Sequence, residues 1–132
     1  MGCGVPPGWV AEVLVKAKDA LGRHGELLAA DYLEDHGIRV VDRNWRCPAG
    51  EIDLIAMDGQ TLVIAEVKTR KSTKFGHPFE AITDAKLRRL KTLAVLWARE
   101  HGVFVPRTRI DALAVLDDGH GEPVVEHLPG VG

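Results

Sequence analysis

Gly50-Glu51-Ile52-Asp53-Leu54-Ile55-Ala56, followed at short range by Ile64-Ala65-Glu66-Val67-Lys68-Thr69-Arg70, decides the fold of this 132-residue chain. Both segments are apolar runs of strand length interrupted by charge, and Asp58-Gly59 between them is a strong hairpin signal. A nearly symmetric hairpin around Gly59 and Gln60 sets Asp53 opposite Glu66. Moving the turn centre by one full residue shifts the cross-strand partner by two, so the carboxylates keep a common face. Strand side chains alternate, which puts Lys68 on the face of Glu66. Two carboxylates and a lysine therefore converge on one patch.

The oxygens of Asp53 and Glu66 are hard donors suited to Mg²⁺ or Mn²⁺, with water and a phosphate completing the shell. The backbone carbonyl of Val67 is the natural third protein ligand. A cation held there would polarise a scissile phosphate and activate a bound water. Lys68 can orient that water, help deprotonate it, or offset negative charge, and sequence alone does not choose among these. The plainer alternative is a set of exposed cross-strand polar contacts with Lys68 pairing one carboxylate. Against it, both acids lie in runs rich in Ile, Leu, Val and Ala. An unpaired charge buried there costs several kcal/mol as an order of magnitude. Glu51 is expected to point away from Asp53, outside any metal shell, and Tyr32 to pack rather than act as a nucleophile.

The length fits a single domain with a substantial core. Residues 1–18 read as an N-terminal extension in which Pro6-Pro7-Gly8 breaks local order and residues 9–18 form a short amphipathic helix; residues 19–132 form the domain. Two cysteines, Cys3 and Cys47, make neither a disulfide scaffold nor a zinc pattern. No apolar run reaches the roughly 20 residues that span a bilayer, and no secretory leader is legible. These features lead to the expectation of a cytoplasmic protein that engages no membrane. Residues 20–36 read as a helix stopped by Gly37, and Ile38, Val40 and Val41 as the first strand, with residues 44–50 leading into the hairpin. Residues 51–57 and 61–69 are the central strands. A helix over 83–101 carries Leu87, Leu90, Ala94 and Trp97 along one face. Strands are expected over 109–116 and 124–128. The order implies a mixed α/β sheet covered by helices.

Charge is unevenly placed. Between residues 68 and 91 eight Lys or Arg stand against Glu80 and Asp84, a local +6; the chain totals −2, so the remainder carries −8. A near-neutral protein can thus present a basic side. Thr69, Arg70, Lys71 and Lys74 after the hairpin can meet phosphates, as can Lys86, Arg88, Arg89 and Lys91 if their helix faces the cleft. Such contacts position a backbone and carry little sequence preference, which fits recognition of DNA shape. The alternative for these residues is a solvated helix face. His24 and His77 are ordinary surface residues unless they reach a leaving oxygen.

The sequence resembles the YraN-like uncharacterised family (UPF0102), whose fold is similar to archaeal Holliday-junction resolvases among the PD-(D/E)xK nucleases. The match runs over roughly residues 20–116 and includes Gly22-Arg23-His24-Gly25-Glu26, Arg43-Asn44-Trp45-Arg46, Gly50-Glu51-Ile52-Asp53, Glu66-Val67-Lys68, Phe75-Gly76, Glu80-Ala81 and Arg109-Ile110-Asp111. The resemblance implies a restriction-endonuclease-like core: α/β, with a mixed central sheet flanked by helices. It implies Asp53, Glu66 and Lys68 as the catalytic core, and Glu26 as a helix carboxylate brought to the same metal. The alternative for Glu26 is a solvated residue of the first helix, with Gly25 merely allowing close helix packing. A polar residue from the helix after the Glu-x-Lys strand is used in some superfamily members; Glu80 and Lys86 are the candidates here. The expected activity is metal-dependent endonuclease cleavage of branched or structured DNA. A homodimer would serve two-strand cleavage, and an activating protein partner is the other expected association. The alternatives are a noncatalytic nucleic-acid-binding module in repair or recombination, and a protein-interaction scaffold.

Overall fold

A computed structural model describes residues 8–74 and 76–132, with side chains from residue 20 onward. The expected break at Pro6-Pro7 and the ring of Phe75 lie outside the described residues. Five strands form one sheet in chain order: β1 (Arg39–Cys47), β2 (Gly50–Asp58), β3 (Thr61–Arg70), β4 (Arg107–Leu116) and β5 (Val124–Leu128). Neighbours are antiparallel except β3 and β4, which run parallel. A parallel pair needs a long crossover, and α2 (Asp84–Glu100) supplies it. The first helix, α1 (Gly8–Asp35), precedes the sheet. The architecture is α/β, a mixed sheet flanked by helices, consistent with a restriction-endonuclease-like core.

Alternation along β3 assigns the two faces. Val63, Ala65 and Val67 pack with Ala29, Ala30 and Leu33 of α1, while Leu62 and Ile64 pack with Leu90, Leu93 and Trp97 of α2. Every one of these side chains is buried. The end of α1 is set by Gly37 at φ +78°, with the Ile38 N–H returning to the Leu33 carbonyl at 2.9 Å. Thr83 caps α2 by accepting the Lys86 N–H at 3.2 Å.

Two expectations are corrected. The two helices expected over 9–18 and 20–36 are one, because α1 begins at Gly8. The stretch 44–50 is not merely a lead-in, because β1 continues to Cys47. Its Asp-Arg-Asn-Trp-Arg run lacks apolar alternation, yet the ladder to β2 supplies the backbone partners that propensity did not advertise. No described helix is long and apolar enough to cross a membrane.

Asp111 on β4 is fully buried and anchors the C-terminal segment. Its carboxylate accepts from Arg109 Nε at 2.8 Å, His127 Nε2 at 2.8 Å and the Gly130 N–H at 3.0 Å. Arg109 reaches on to Asp58 at 2.8 Å, tying the hairpin turn to the same network. The Arg109-Ile110-Asp111 motif is thus a structural clamp in this fold.

Candidate functional site

The ladder between β2 and β3 runs from Asp58↔Thr61 to Leu54↔Ala65. One step further Asp53 faces Glu66, and there the pairing gives out. The Val67 N–H, on the β2 side of its strand, donates instead to Asp53 Oδ2 at 2.9 Å. The N–H and C=O of one strand residue leave on the same side, so the Val67 carbonyl also leaves β3 towards Asp53.

On β1 the position across from Asp53 is Asn44, between the pairs Arg43↔Leu54 and Trp45↔Ile52. Asn44 is at φ +51°, a left-handed conformation that Asn tolerates better than most residues. Strict alternation also slips here. Leu54 packs beneath α1, whereas Ile52 and Ile55, three residues apart, both pack beneath α2. The slip leaves Asp53 at the opening between the helices, half-buried.

Glu66 is only 3% exposed. Its Oε2 receives Lys68 Nζ at 3.2 Å and Lys86 Nζ at 3.1 Å. Two ammonium groups thus converge on one oxygen of this carboxylate inside the fold. The Asp53 carboxyl is pushed up to about 8, first by burial and then by the charge of Glu66; Glu26 adds to this, while the Val67 N–H works against it. Asp53 therefore favours its protonated form at neutral pH and lies within hydrogen-bond reach of Glu66.

Glu26 on α1 is close enough for its charge to act on Asp53. Gly25 makes that approach possible: it is buried, and a Cβ there would overlap the Thr69 side chain. Gly25→Ala should push α1 off β3, costing about 1–3 kcal/mol. The check is a lower Tm together with weaker Mn²⁺ binding, because Glu26 moves with its helix.

The donor set fits a hard divalent cation. Among the described residues no group of three His, Cys, Asp or Glu side chains forms a ready metal cage. Mg²⁺ does not demand one, since it is commonly held by one or two carboxylates with waters and substrate phosphates. Asp53 and Glu66, within hydrogen-bond reach of each other, meet that requirement, and the Val67 carbonyl adds a neutral oxygen.

Glu51 departs from expectation. Two residues before Asp53, it lies on the same side and lines the same recess, paired with Arg46 at 3.1 Å. The basic residues divide. Lys68, Thr69, Arg70 and Lys71 line a recess of about 580 Å³ on the α1 side. Lys86 and Arg89 line another of about 430 Å³ on the α2 side, with Arg46 of β1. Lys91 lies elsewhere, in a recess with Arg109 and Gly130. Arg88 is exposed, and the helical period sets it opposite the buried line of Leu90, Ala94 and Trp97. Lys74 is exposed in the loop after β3.

Other candidates have structural partners. Glu80 accepts the His77 N–H at 2.6 Å and so caps a short 3₁₀ turn, Pro78–Ala81. His77 pairs with Glu126 and His24 with Asp117, each at 2.9 Å. Tyr32 stacks on His36 and meets the edge of His127. Arg46 and Asn44 are the site residues that the charge count missed; their signal was only the Arg43-Asn44-Trp45-Arg46 motif.

Comparison with known proteins gives a consistent family. The model of the uncharacterised protein family UPF0102 matches residues 25–115. A protein of Renibacterium salmoninarum is 65% identical over 118 residues, covering 89% of this chain and 100% of its own length. One from Arthrobacter sp. is 64% identical over 118 residues, with coverage of 89% and 100%. One from Paenarthrobacter aurescens is 61% identical over 119 residues, with coverage of 90% and 98%. Each is named a UPF0102 protein. With more than half its length matched and relatives this similar along nearly their whole length, the chain belongs to the uncharacterised protein family UPF0102.

Proposed function

We propose that this protein is a Mg²⁺- or Mn²⁺-dependent endonuclease that hydrolyses phosphodiester bonds in branched or structured DNA. The observation that carries this reading is the carboxylate pair at the splayed end of β2 and β3: Asp53 lies within hydrogen-bond reach of Glu66 and accepts the Val67 N–H, and Lys68 and Lys86 both hold Glu66. A cation bound there supplies charge to a phosphate and lowers the pKa of a coordinated water. Asp53 and Glu66 would hold it, with the Val67 carbonyl and Glu26 as further oxygens. Lys68 anchors Glu66 through one of three donors and keeps two for a water or a phosphate oxygen. Lys86 fixes Glu66 from the opposite helix, so the carboxylate keeps its rotamer when Lys68 turns to substrate.

The test is cleavage of a four-way junction, a flap, single-stranded DNA and matched duplex with Mg²⁺, Mn²⁺ or chelator. Metal-dependent cutting is expected to fall at least about 100-fold in Glu66→Gln and in Lys68→Ala. Equal cutting by wild type and both variants would sink the assignment. Binding without cutting would move the protein to the noncatalytic class.

A further inference from the structure

We infer that a single polynucleotide strand lies across the splayed end of the sheet along one continuous track, held by phosphate contacts on both sides of Asp53. The inference rests on the nuclease reading for the chemistry at the centre, but the track stands on its own geometry. Three recesses adjoin. The α1-side recess carries Lys68, Arg70 and Lys71. The α2-side recess carries Arg46, Lys86 and Arg89. Between them lies a smaller one of about 200 Å³ that contains Asp53. The central recess shares Gly22 and Glu26 with the first, and Arg46 and Glu51 with the second. The walls are therefore common, and the path from α1 to α2 passes over Asp53 without leaving the surface groove.

The path is basic at its two ends and acidic at its centre, so phosphates are held at the ends while the centre accepts one only through the proposed cation. Each end is lined by three cationic side chains and one carboxylate, Glu26 at the α1 end and Glu51 at the α2 end, with Lys68 and Lys86 also paired to Glu66 between them. The acids gather at the centre, where Asp53 lies. A lone phosphate or a mononucleotide reaches only one end. A strand several nucleotides long reaches both and carries the phosphate between them over Asp53, where the proposed cation would screen the carboxylates. No described residue lining the three recesses is aromatic, so base stacking contributes little. Binding should then come from phosphates, tolerate any sequence, and weaken steeply with salt. Arg46 and Gly22, which the charge count did not single out, become part of the substrate surface. Gly22 leaves room, since nothing lies within 4 Å of where its Cβ would be.

The experiment measures binding of fluorescent single-stranded oligonucleotides of two, four and twelve nucleotides, in chelator, over a salt series. The proteins are wild type, Arg70→Ala/Lys71→Ala, Arg46→Gln/Arg89→Ala, and the four-fold variant. Thermal melts serve as the folding control. Each double variant should weaken the twelve-mer about 3–10-fold, and the two effects should multiply. Each should also flatten the log–log salt slope by about 0.7 for every phosphate that is no longer neutralised. The dinucleotide should respond to no more than one pair. Weakening confined to one end, with the other end indifferent at every length, overturns the track. The reading at the centre fails separately: intact two-ended binding with cleavage unaffected by Glu66→Gln leaves the track and removes the nuclease. Cleavage abolished in Glu66→Gln but indifferent to Arg46→Gln/Arg89→Ala does the reverse. Preference for a ribo-oligomer over its deoxy counterpart in both double-variant series would overturn the DNA assignment of the strand.

Discussion

Asp111→Asn should lower stability by about 3–5 kcal/mol, seen as a fall in Tm of more than roughly 10 °C at pH 7. Burial alone would raise the pKa of this carboxyl, but hydrogen bonds from Arg109, the Gly130 N–H and His127 outweigh it and hold the group below the ordinary carboxylate range. An amide of the same shape keeps one accepting oxygen and turns an NH₂ towards donors. At least one of Arg109, His127 and Gly130 is then left facing a donor inside the fold. A folded pKa depressed below the unfolded value means that the stabilisation is fully present above about pH 4 and is lost as pH falls through the folded value. The variant should therefore lose its difference from wild type in acid. A Tm equal to wild type at pH 7 would show that the network adds nothing.

The hairpin was legible because its signals are local. Asp58-Gly59 demanded a tight turn, Gly59 adopts φ +62°, and Asp58 pairs with Thr61. Once the turn is fixed, alternation carries Asp53 to Glu66 and Lys68 beside it without further information. The caps of α2 are local too. What the sequence could not show depends on packing between distant segments. Lys86 meets Glu66 only because α2 crosses that face of the sheet, and the periodicity of α2 says which side is buried but not what lies under it. The polar run of β1 carried no alternation, so only the Arg43-Asn44-Trp45-Arg46 motif pointed to Asn44 and Arg46, which border Asp53. The eight basic residues looked like one surface because a charge count has no direction. The helix splits them, sending Arg89 to one flank and Lys91 to the other.

Asp53→Asn should change stability in the opposite sense to Asp111→Asn, raising the Tm of the metal-free protein at pH 8. The Asp53 carboxyl titrates near 8 in the fold against an ordinary 3.8. Folded protein therefore holds a proton that the unfolded chain has released, so stability contributed by the neutral form is complete below about pH 4 and declines through the interval up to about 8. At about 1.36 kcal/mol per unit the full loss is several kcal/mol, and solvent at this half-buried group trims it to roughly 2–4 kcal/mol. Asn keeps the geometry of the protonated acid: its oxygen can accept from Val67 and its NH₂ can donate to Glu66. The variant should stay flat across the pH range where wild type weakens, by on the order of 10 °C at pH 8. The same proton governs the proposed cation. Mn²⁺ must displace it, so apparent affinity should rise nearly tenfold per pH unit and level off above about 8, and Asn at this position should abolish that slope with the affinity itself. Mn²⁺ binding that is independent of pH between 6 and 8 would mean that Asp53 is not a ligand. A wild-type Tm profile in the variant would mean instead that the folded Asp53 carries no extra proton. Under the proposed function, the residue that weakens the metal-free fold is thus also the one that would hold the cation, a strained charge relieved by its ligand.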